Sequence, residues 1–161
     1  MKIPKICVAG ARGHVPNTED FVRQAAMLEK QHLVTIQFFR ADRIFGAEHI
    51  VSAAEKAVRA MENRTNMARS LGMEMLLYAA AERQTSEALR KLGLFSGIEA
   101  IALIVVGMDD AGRILEELGL ERDDAVLDPA GKDPSVFGID RNAVNAADLV
   151  LERVAVSEVF R

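Results

Sequence analysis

The apolar run from Ile98 to Val106, IEAIALIVV, constrains the fold more than any other part of this sequence. Glu99 is its only charged residue, and the run is too short for the ~18–20 apolar residues that a membrane-spanning helix needs. Almost continuous apolar character over such a length is typical of a central strand covered on both faces. The run therefore predicts a β-sheet with helices packed against it.

Strands and helices are predicted to alternate along the chain. β-Branched and aromatic residues indicate strands, and apolar residues at helical spacing indicate helices. The predicted strands are Lys5–Ala9, Leu33–Phe39, Met75–Ala80 and Ile98–Val106, with a turn at Gly10–Gly13. Five helices are predicted. The first begins after an N-cap at Thr18, and the others are Ala47–Glu62, Thr85–Leu92, Asp109 to about Leu118, and roughly Ala143–Val154. We expect an α/β (α+β) fold, a single domain over residues 1–161 with a sheet of about four or more strands and helices packed against it.

The net charge of −4 is unevenly distributed. Residues 1–39 and 40–93 each carry +2, whereas residues 109–140 carry −7. A general nucleic-acid-binding protein would be basic throughout. Any RNA contact is therefore expected within the first 93 residues, because the acidic stretch repels phosphate.

A cytoplasmic location is expected from the cysteine usage and the first residues. Cys7 is the only cysteine, so an internal disulfide is impossible, and we expect it to be a small core residue. The segment Met1–Lys5 lacks the long apolar block of a secretory signal. We expect no membrane contact.

Common enzyme signatures are absent from the sequence. There is no GxxxxGK[ST] loop, no GxGxxG after a strand and no GxSxG elbow. His14, His32 and His49 are far apart and lack metal-binding spacing. His49 could contact a neighbouring strand or an RNA phosphate, and the sequence leaves both open. We predict no catalytic residue, metal, cofactor or small-molecule substrate.

Asp109 and Asp110 directly follow the central strand. Strand-end carboxylates in α/β folds can bind a metal or act as acid and base. The simpler reading, which we favour, is that Asp109 accepts the free N–H groups of the next helix.

The segment Glu82-Arg83-Gln84-Thr85 joins a predicted strand to a predicted helix without glycine or proline. The helix dipole opposes an arginine at this end by ~0.3–1 kcal/mol when it is exposed. The placement becomes useful if an anion binds, because Arg83 and the free N–H groups then hold the same phosphate. The alternative is a surface pair between Glu82 and Arg83.

Further basic and aromatic side chains precede this segment. Tyr78 offers a ring on which a base could stack, although a core or edge role fits its position equally. If the preceding helix packs beside the strand, Arg83 could join a basic patch with some of Lys56, Arg59, Arg64 and Arg69.

The last predicted helix has more apolar residues than one buried stripe requires. They include Val150, Leu151 and Val154. The helix is therefore either central in the core or part of an interface.

Three ordered segments resemble the kinase-binding subunit family of the KEOPS complex (TPRKB-like). They are QFFRADRIFGAEHIVSAAEKAV at Gln37–Val58, ARSLGMEMLLYAAAERQTSEALRKLGL at Ala68–Leu94 and IALIVVG at Ile101–Gly107. AxEKAV, RSLxxE and SEALxKxG are the most specific portions. The chain departs from the family pattern at Ala79–Ala81, where members often have Ser or Gly, and at Thr85, where they often have Ile.

The resemblance implies a non-catalytic subunit of the KEOPS tRNA threonylcarbamoyladenosine-modification complex. Such a subunit binds and regulates a small atypical protein kinase/ATPase, and archaeal relatives are thought to capture the three-prime CCA tail of tRNA. The expected tRNA-binding residues are Arg83, Gln84, Arg69, Arg64, Arg59 and Lys56. The candidate kinase-interface residues, chosen for the excess apolar surface of the last helix, are Val150, Leu151 and Val154. The alternatives are a small metal-dependent hydrolase using Asp109 and Asp110, or a homo-oligomeric ligand-binding module.

Overall fold

An antiparallel sheet lies at the centre of the structure, a computed structural model that describes residues 4–160. Residues 1–3, which belong to the Met1–Lys5 segment, and Arg161 lie outside the described residues. Within residues 4–160 the strands are β1 (Ile6–Val15), β2 (Thr35–Arg40), β3 (Ile98–Val106) and β4 (Glu121–Arg122), in the order β2-β3-β1-β4. The apolar run is thus a central strand, paired with β1 on one side and β2 on the other. The predicted α+β class is confirmed.

Helices cover both faces of the sheet. In the described part of the chain they are α1 (Thr18–His32), α2 (Ala47–Glu62), α3 (Leu71–Ala80), α4 (Thr85–Leu92), α5 (Gly112–Glu117) and α6 (Ala146–Val159). Because side chains alternate along β3, Ile101 and Leu103 pack with α1 and α5, whereas Ala102 and Ile104 pack with α2, α3, α4 and α6. α6 lies against α2 and α3. No helix within residues 4–160 is both long and apolar enough to cross a membrane.

The predicted strand at Met75–Ala80 is wrong, since this segment forms most of α3. The Ser70 side chain caps the helix by accepting a hydrogen bond from the Met73 N–H at 3.2 Å. Every residue from Glu74 to Ala80 is buried. A helix buried on all sides has no apolar stripe, so its sequence reads like a buried strand.

The predicted turn at Gly10–Gly13 is also wrong, because β1 continues to Val15 with a register shift after Arg12. These glycines serve close packing. A Cβ on Gly10 would lie 2.6 Å from the Asp123 carbonyl oxygen, and one on Gly13 would lie 2.5 Å from Leu120 Cδ2. Helix α1 is capped by Asn17, whose Oδ1 accepts the Asp20 N–H at 3.2 Å, and not by Thr18 as predicted.

Helices α1, α2 and α3 end at non-glycine residues in the left-handed region. These are Leu33 (φ 56°), Arg64 (φ 58°) and Ala81 (φ 55°). In each case the next N–H group donates to the carbonyl five residues back, at 3.1, 2.9 and 3.0 Å respectively, which defines a Schellman motif. Glycine usually occupies this position, since other residues pay a steric cost of about 1–2 kcal/mol there.

Replacing Leu33 with glycine is expected to stabilise the protein by up to about 1 kcal/mol, because it removes the steric cost at an exposed side chain. Leu33 is 87% exposed, so little packing is lost. Urea denaturation at constant m-value measures the change. Leu89→Gly, in an exposed position inside α4, is the control and should destabilise by about 1 kcal/mol. A destabilised Leu33→Gly variant would contradict the left-handed helix end.

Candidate nucleic-acid and protein interface

The predicted arginine segment forms the turn between α3 and α4. Ala81 ends α3, and Gln84 occupies the N-cap position of α4 without a capping hydrogen bond from its side chain. The first N–H groups of α4 therefore lack intrahelical acceptors and form the positive end of the helix dipole. The structure thus places Arg83 beside an uncapped helix N-terminus, as the sequence predicted.

The side chain of Arg83 is exposed and does not pair with Glu82. Glu82 forms an ion pair with Lys91 at 2.6 Å instead. Among residues 4–160, no carboxylate or carbonyl oxygen binds the Arg83 guanidinium. Its donors are therefore directed to solvent and can bind an anion.

Arg83 lines a groove of about 490 Å³ between the α3–α4 turn and α6, here named the Arg83 groove. The turn contributes the Ala81–Gln84 wall. The facing wall is one stripe of α6 at helical spacing, composed of Arg153, Val156, Ser157 and Phe160. The groove thus combines two guanidinium groups and an exposed aromatic ring, and it lies next to the free N–H groups of α4.

Arg153 and Phe160 are groove residues that the sequence analysis missed. The Arg153 Nε donates to the Phe137 carbonyl at 3.1 Å, which fixes the guanidinium near the groove. Phe160 is 64% exposed. Only the packing of α6 beside the α3–α4 turn shows their importance, because both lie far from Arg83 in the sequence. Tyr78, the aromatic residue considered for stacking, is instead buried in the core.

The other predicted basic residues divide into two groups. Arg59 pairs with Glu158 of α6 at 3.0 Å, next to the groove residue Ser157. Lys56, one turn earlier on α2, donates to Ser52 Oγ at 2.8 Å. Arg64 and Arg69 lie in the α2–α3 connection, at the opposite end of α3 from Arg83, about 15 Å away by helix length. The predicted basic residues therefore lie on α2 and in the connections at the two ends of α3, and they do not form one compact patch.

Helix α6 is mainly a core helix with an exposed apolar end. Val150 and Val154 are fully buried within this chain, and Leu151 is half-buried. The exposed apolar residues are Val156 (42%), Val159 (77%) and Phe160 (64%). Of the two alternatives drawn from the sequence, core packing describes the middle of α6. The role of α6 in protein docking stays a prediction, and its available surface is the C-terminal end.

Asp109 and Asp110 take part in separate surface interactions. Asp109 pairs with Lys5 at 3.0 Å. Asp110 pairs with Arg122 at 3.2 Å and accepts the Gly112 N–H at 2.9 Å. The prediction that Asp109 caps the next helix is therefore wrong, and Asp110 binds its first N–H group. The described residues contain no group of three or more histidine, cysteine, aspartate and glutamate side chains placed to bind a metal.

Cys7 is half-buried, contrary to the predicted core position. It packs at the edge of the core beneath α1 and α5. Burial, followed by the negative charge of Asp110, raises the pKa of its thiol.

His49 contacts no strand and is not accessible to an RNA phosphate, so both alternatives drawn from the sequence are wrong. It is fully buried. Its Nδ1 accepts the Phe45 N–H at 3.1 Å, and its Nε2 lies 2.8 Å from the Ala79 carbonyl, so the neutral tautomer with a proton on Nε2 satisfies both bonds. This bridge joins the start of α2 to the end of α3, directly before the Arg83 turn. Burial lowers the pKa of His49 to about 4.

Comparisons with known proteins identify the family. A family model described as "Kinase binding protein CGI-121" matches residues 14–126. The "Regulatory protein Cgi121" of Methanocaldococcus jannaschii is 30% identical over 127 residues, which cover 76% of this chain and 83% of that protein. The chain therefore belongs to the CGI-121 family of kinase-binding regulatory proteins. This confirms the resemblance found in the sequence. Arg83 lies within the matched region, and α6 follows it.

The buried His49 is expected to make stability fall as the pH falls from 6.5 to 4. The unfolded chain binds a proton near pH 6.5, whereas the folded chain resists protonation until about pH 4. The unfolded state therefore holds more protons in this window, and the loss is roughly 3 kcal/mol. Urea denaturation at several pH values in this range should show that the free energy of unfolding depends less steeply on pH in His49→Asn than in the wild type. His14→Asn, at an exposed position, is the control, and equal slopes for His49→Asn and the wild type would contradict the account.

Proposed function

We propose that this chain is a non-catalytic subunit of the KEOPS tRNA threonylcarbamoyladenosine-modification complex. It binds and regulates a small atypical protein kinase/ATPase, and it captures the three-prime CCA tail of tRNA in the Arg83 groove. Family membership supports the kinase-binding part, since the matching model and the archaeal relative are named for kinase binding and regulation. The Arg83 groove is the observation that carries the tRNA part.

The chemistry of the Arg83 groove suits an unpaired RNA end. Arg83 and the free N–H groups of α4 provide donors for one phosphate, and Arg153 provides a second cation. The exposed ring of Phe160 offers a surface on which an unpaired base can stack, worth about 1–3 kcal/mol. Bases are splayed out in this way only where the RNA is single-stranded, as at a tRNA tail.

The surrounding charges also favour an anion in the Arg83 groove. The carboxylate of Glu82 is balanced by Lys91, and Glu87, in the first turn of α4, is balanced by Arg90 at 2.7 Å. Helix α5, which follows the acidic pair Asp109-Asp110, packs on the opposite face of the sheet. The acidic residues of α5, Glu116 and Glu117, therefore lie on the far side of the sheet from the groove.

Replacing Arg83 with alanine should weaken binding of an intact tRNA about tenfold, because one charge-assisted phosphate contact is lost. Fluorescence anisotropy over a range of salt concentrations measures the affinity, and the slope of log K against log salt should decrease by about 1. Arg23→Ala is the matched control. Arg23 is an exposed arginine on α1, across the sheet, with its own partner Asp20.

Transfer RNA without its CCA tail separates tail capture from general attraction. The wild type should bind the shortened tRNA more weakly than Arg83→Ala binds the intact one, because the contacts of Arg153 and Phe160 with the tail are lost as well. Equal affinity for the two RNAs would rule out tail capture. Equal losses for Arg83→Ala and Arg23→Ala would show that the attraction is non-specific.

The C-terminal end of α6 is the proposed docking surface for the kinase. Val159, which is 77% exposed, supplies the apolar surface of this site, because Val156 and Phe160 line the Arg83 groove. Val159 is not among the residues that line the Arg83 groove. Val150 and Val154 support this surface from the core and do not form it.

Val159→Glu should abolish co-purification of the kinase, because a charge would be buried without a partner in an apolar interface. Size-exclusion chromatography of the mixed proteins measures the complex, and circular dichroism confirms the fold. Val144→Glu is the control, since Val144 is a fully exposed valine before α6. A Val159→Glu chain that folds and still binds the kinase would place the docking surface elsewhere.

A further inference from the structure

Glu74 is a fully buried carboxylate in the first turn of α3. Removing a carboxylate from water costs several kcal/mol unless hydrogen bonds and favourable charges compensate. Its binding partners therefore show which part of the structure needs a charged group in the core.

The Glu74 carboxylate binds the main chain of the α2–α3 connection. Its Oε1 accepts the Ala68 N–H at 2.9 Å, and the Met67 N–H is shared by Oε1 at 3.1 Å and Oε2 at 3.2 Å. The positive end of the α3 dipole favours the negative charge. Because Ser70 already caps α3, Glu74 is not needed as the cap. It fixes the connection that precedes the helix.

This connection carries the second group of predicted RNA-binding residues. Arg69 directly follows Ala68, whose N–H group is bound by Glu74. The side chain of Arg69 is exposed, whereas that of Ala68 is buried. Arg64 begins the connection in a left-handed conformation that is fixed by the Thr65 N–H bond to Ala60 at 2.9 Å. The Asn66 side chain also donates to the Ala68 carbonyl at 2.8 Å. The backbone that bears both arginines is thus held at several points.

We infer that Glu74 is a positioning residue for RNA binding, which fixes the α2–α3 connection so that Arg64 and Arg69 form a second phosphate contact. This inference rests on the proposed tRNA-binding function. The second contact lies at the end of α3 opposite Arg83, about 15 Å away by helix length. A fixed connection lowers the ordering entropy that binding must overcome.

A double-mutant cycle tests this role. Glu74→Gln keeps the shape but replaces one acceptor oxygen with an N–H₂ group that faces the pinned amides. It should weaken intact-tRNA binding about threefold to tenfold in the wild-type background. In a chain that already carries Arg64→Ala and Arg69→Ala it should cause no further loss, because the residues through which it acts are gone. Amide hydrogen exchange at Met67 and Ala68 should accelerate, with core amides of α3 unchanged.

Val105→Ala separates positioning from general destabilisation. Val105 is fully buried on the opposite face of the sheet, beneath α1 and α5. This variant should lose stability and keep its tRNA affinity. If Glu74→Gln fails to fold, Glu74→Asp, which keeps the charge but shortens the side chain, replaces it in the same cycle.

The outcomes distinguish this inference from the proposed function. If Glu74→Gln weakens tRNA binding equally with and without the two arginines, the positioning role is wrong. It is also wrong if Val105→Ala weakens tRNA binding. Unchanged tRNA binding in the Arg64→Ala/Arg69→Ala chain would overturn the positioning role as well. If Arg83→Ala still weakens tRNA binding in that case, the proposal of tail capture stands. If Arg83→Ala also has no effect, the proposed function itself fails.

Discussion

Burial of β3 on both faces is the constraint on which the rest of this structure depends. A strand with apolar side chains on both faces needs a helical layer on each side. One layer is α1 with α5, and the other contains α2, α3 and α4, with α6 packed outside α2 and α3. The second layer is thick enough to bury α3 from Glu74 to Ala80. Its two ends are consequently the places where this layer meets solvent, and the predicted RNA-binding arginines Arg69 and Arg83 flank them.

Two buried polar side chains fix the ends of α3. His49 binds the Ala79 carbonyl at the C-terminal end, and Glu74 binds the amides of Met67 and Ala68 before the N-terminal end. Each side chain satisfies main-chain groups that would otherwise be costly to bury. The buried polar groups thus hold in place the two connections that carry the exposed arginines, Arg64 and Arg69 before α3 and Arg83 after it.

Sequence reasoning succeeded where one residue pattern fixes one structure. The helices Ala47–Glu62 and Thr85–Leu92 and the strand Ile98–Val106 agree with the structure because amphipathic spacing or a bounded apolar run defines them locally. The Met75–Ala80 segment failed because burial on all sides removes the helical stripe. Its end at Ala81 carries no glycine signal, since an alanine occupies the left-handed position.

The candidate site shows the same limit. The helix N-terminus beside Arg83 follows from local sequence, whereas the opposite wall with Arg153 and Phe160 depends on tertiary packing of α6. Gly10 and Gly13 likewise reflect neighbours that are distant in sequence, Asp123 and Leu120. Long-range contacts of this kind leave no periodic signal in a single chain.

The central claim is that the Arg83 groove holds the single-stranded end of tRNA. Hydrogen–deuterium exchange of the chain with and without a short RNA ending in CCA tests it most directly. The account predicts slower exchange in residues 82–87 and 153–160, with no change in α1 or α5. Protection confined to α1, α5 or the acidic segment 109–140, with residues 82–87 unaffected, would contradict it.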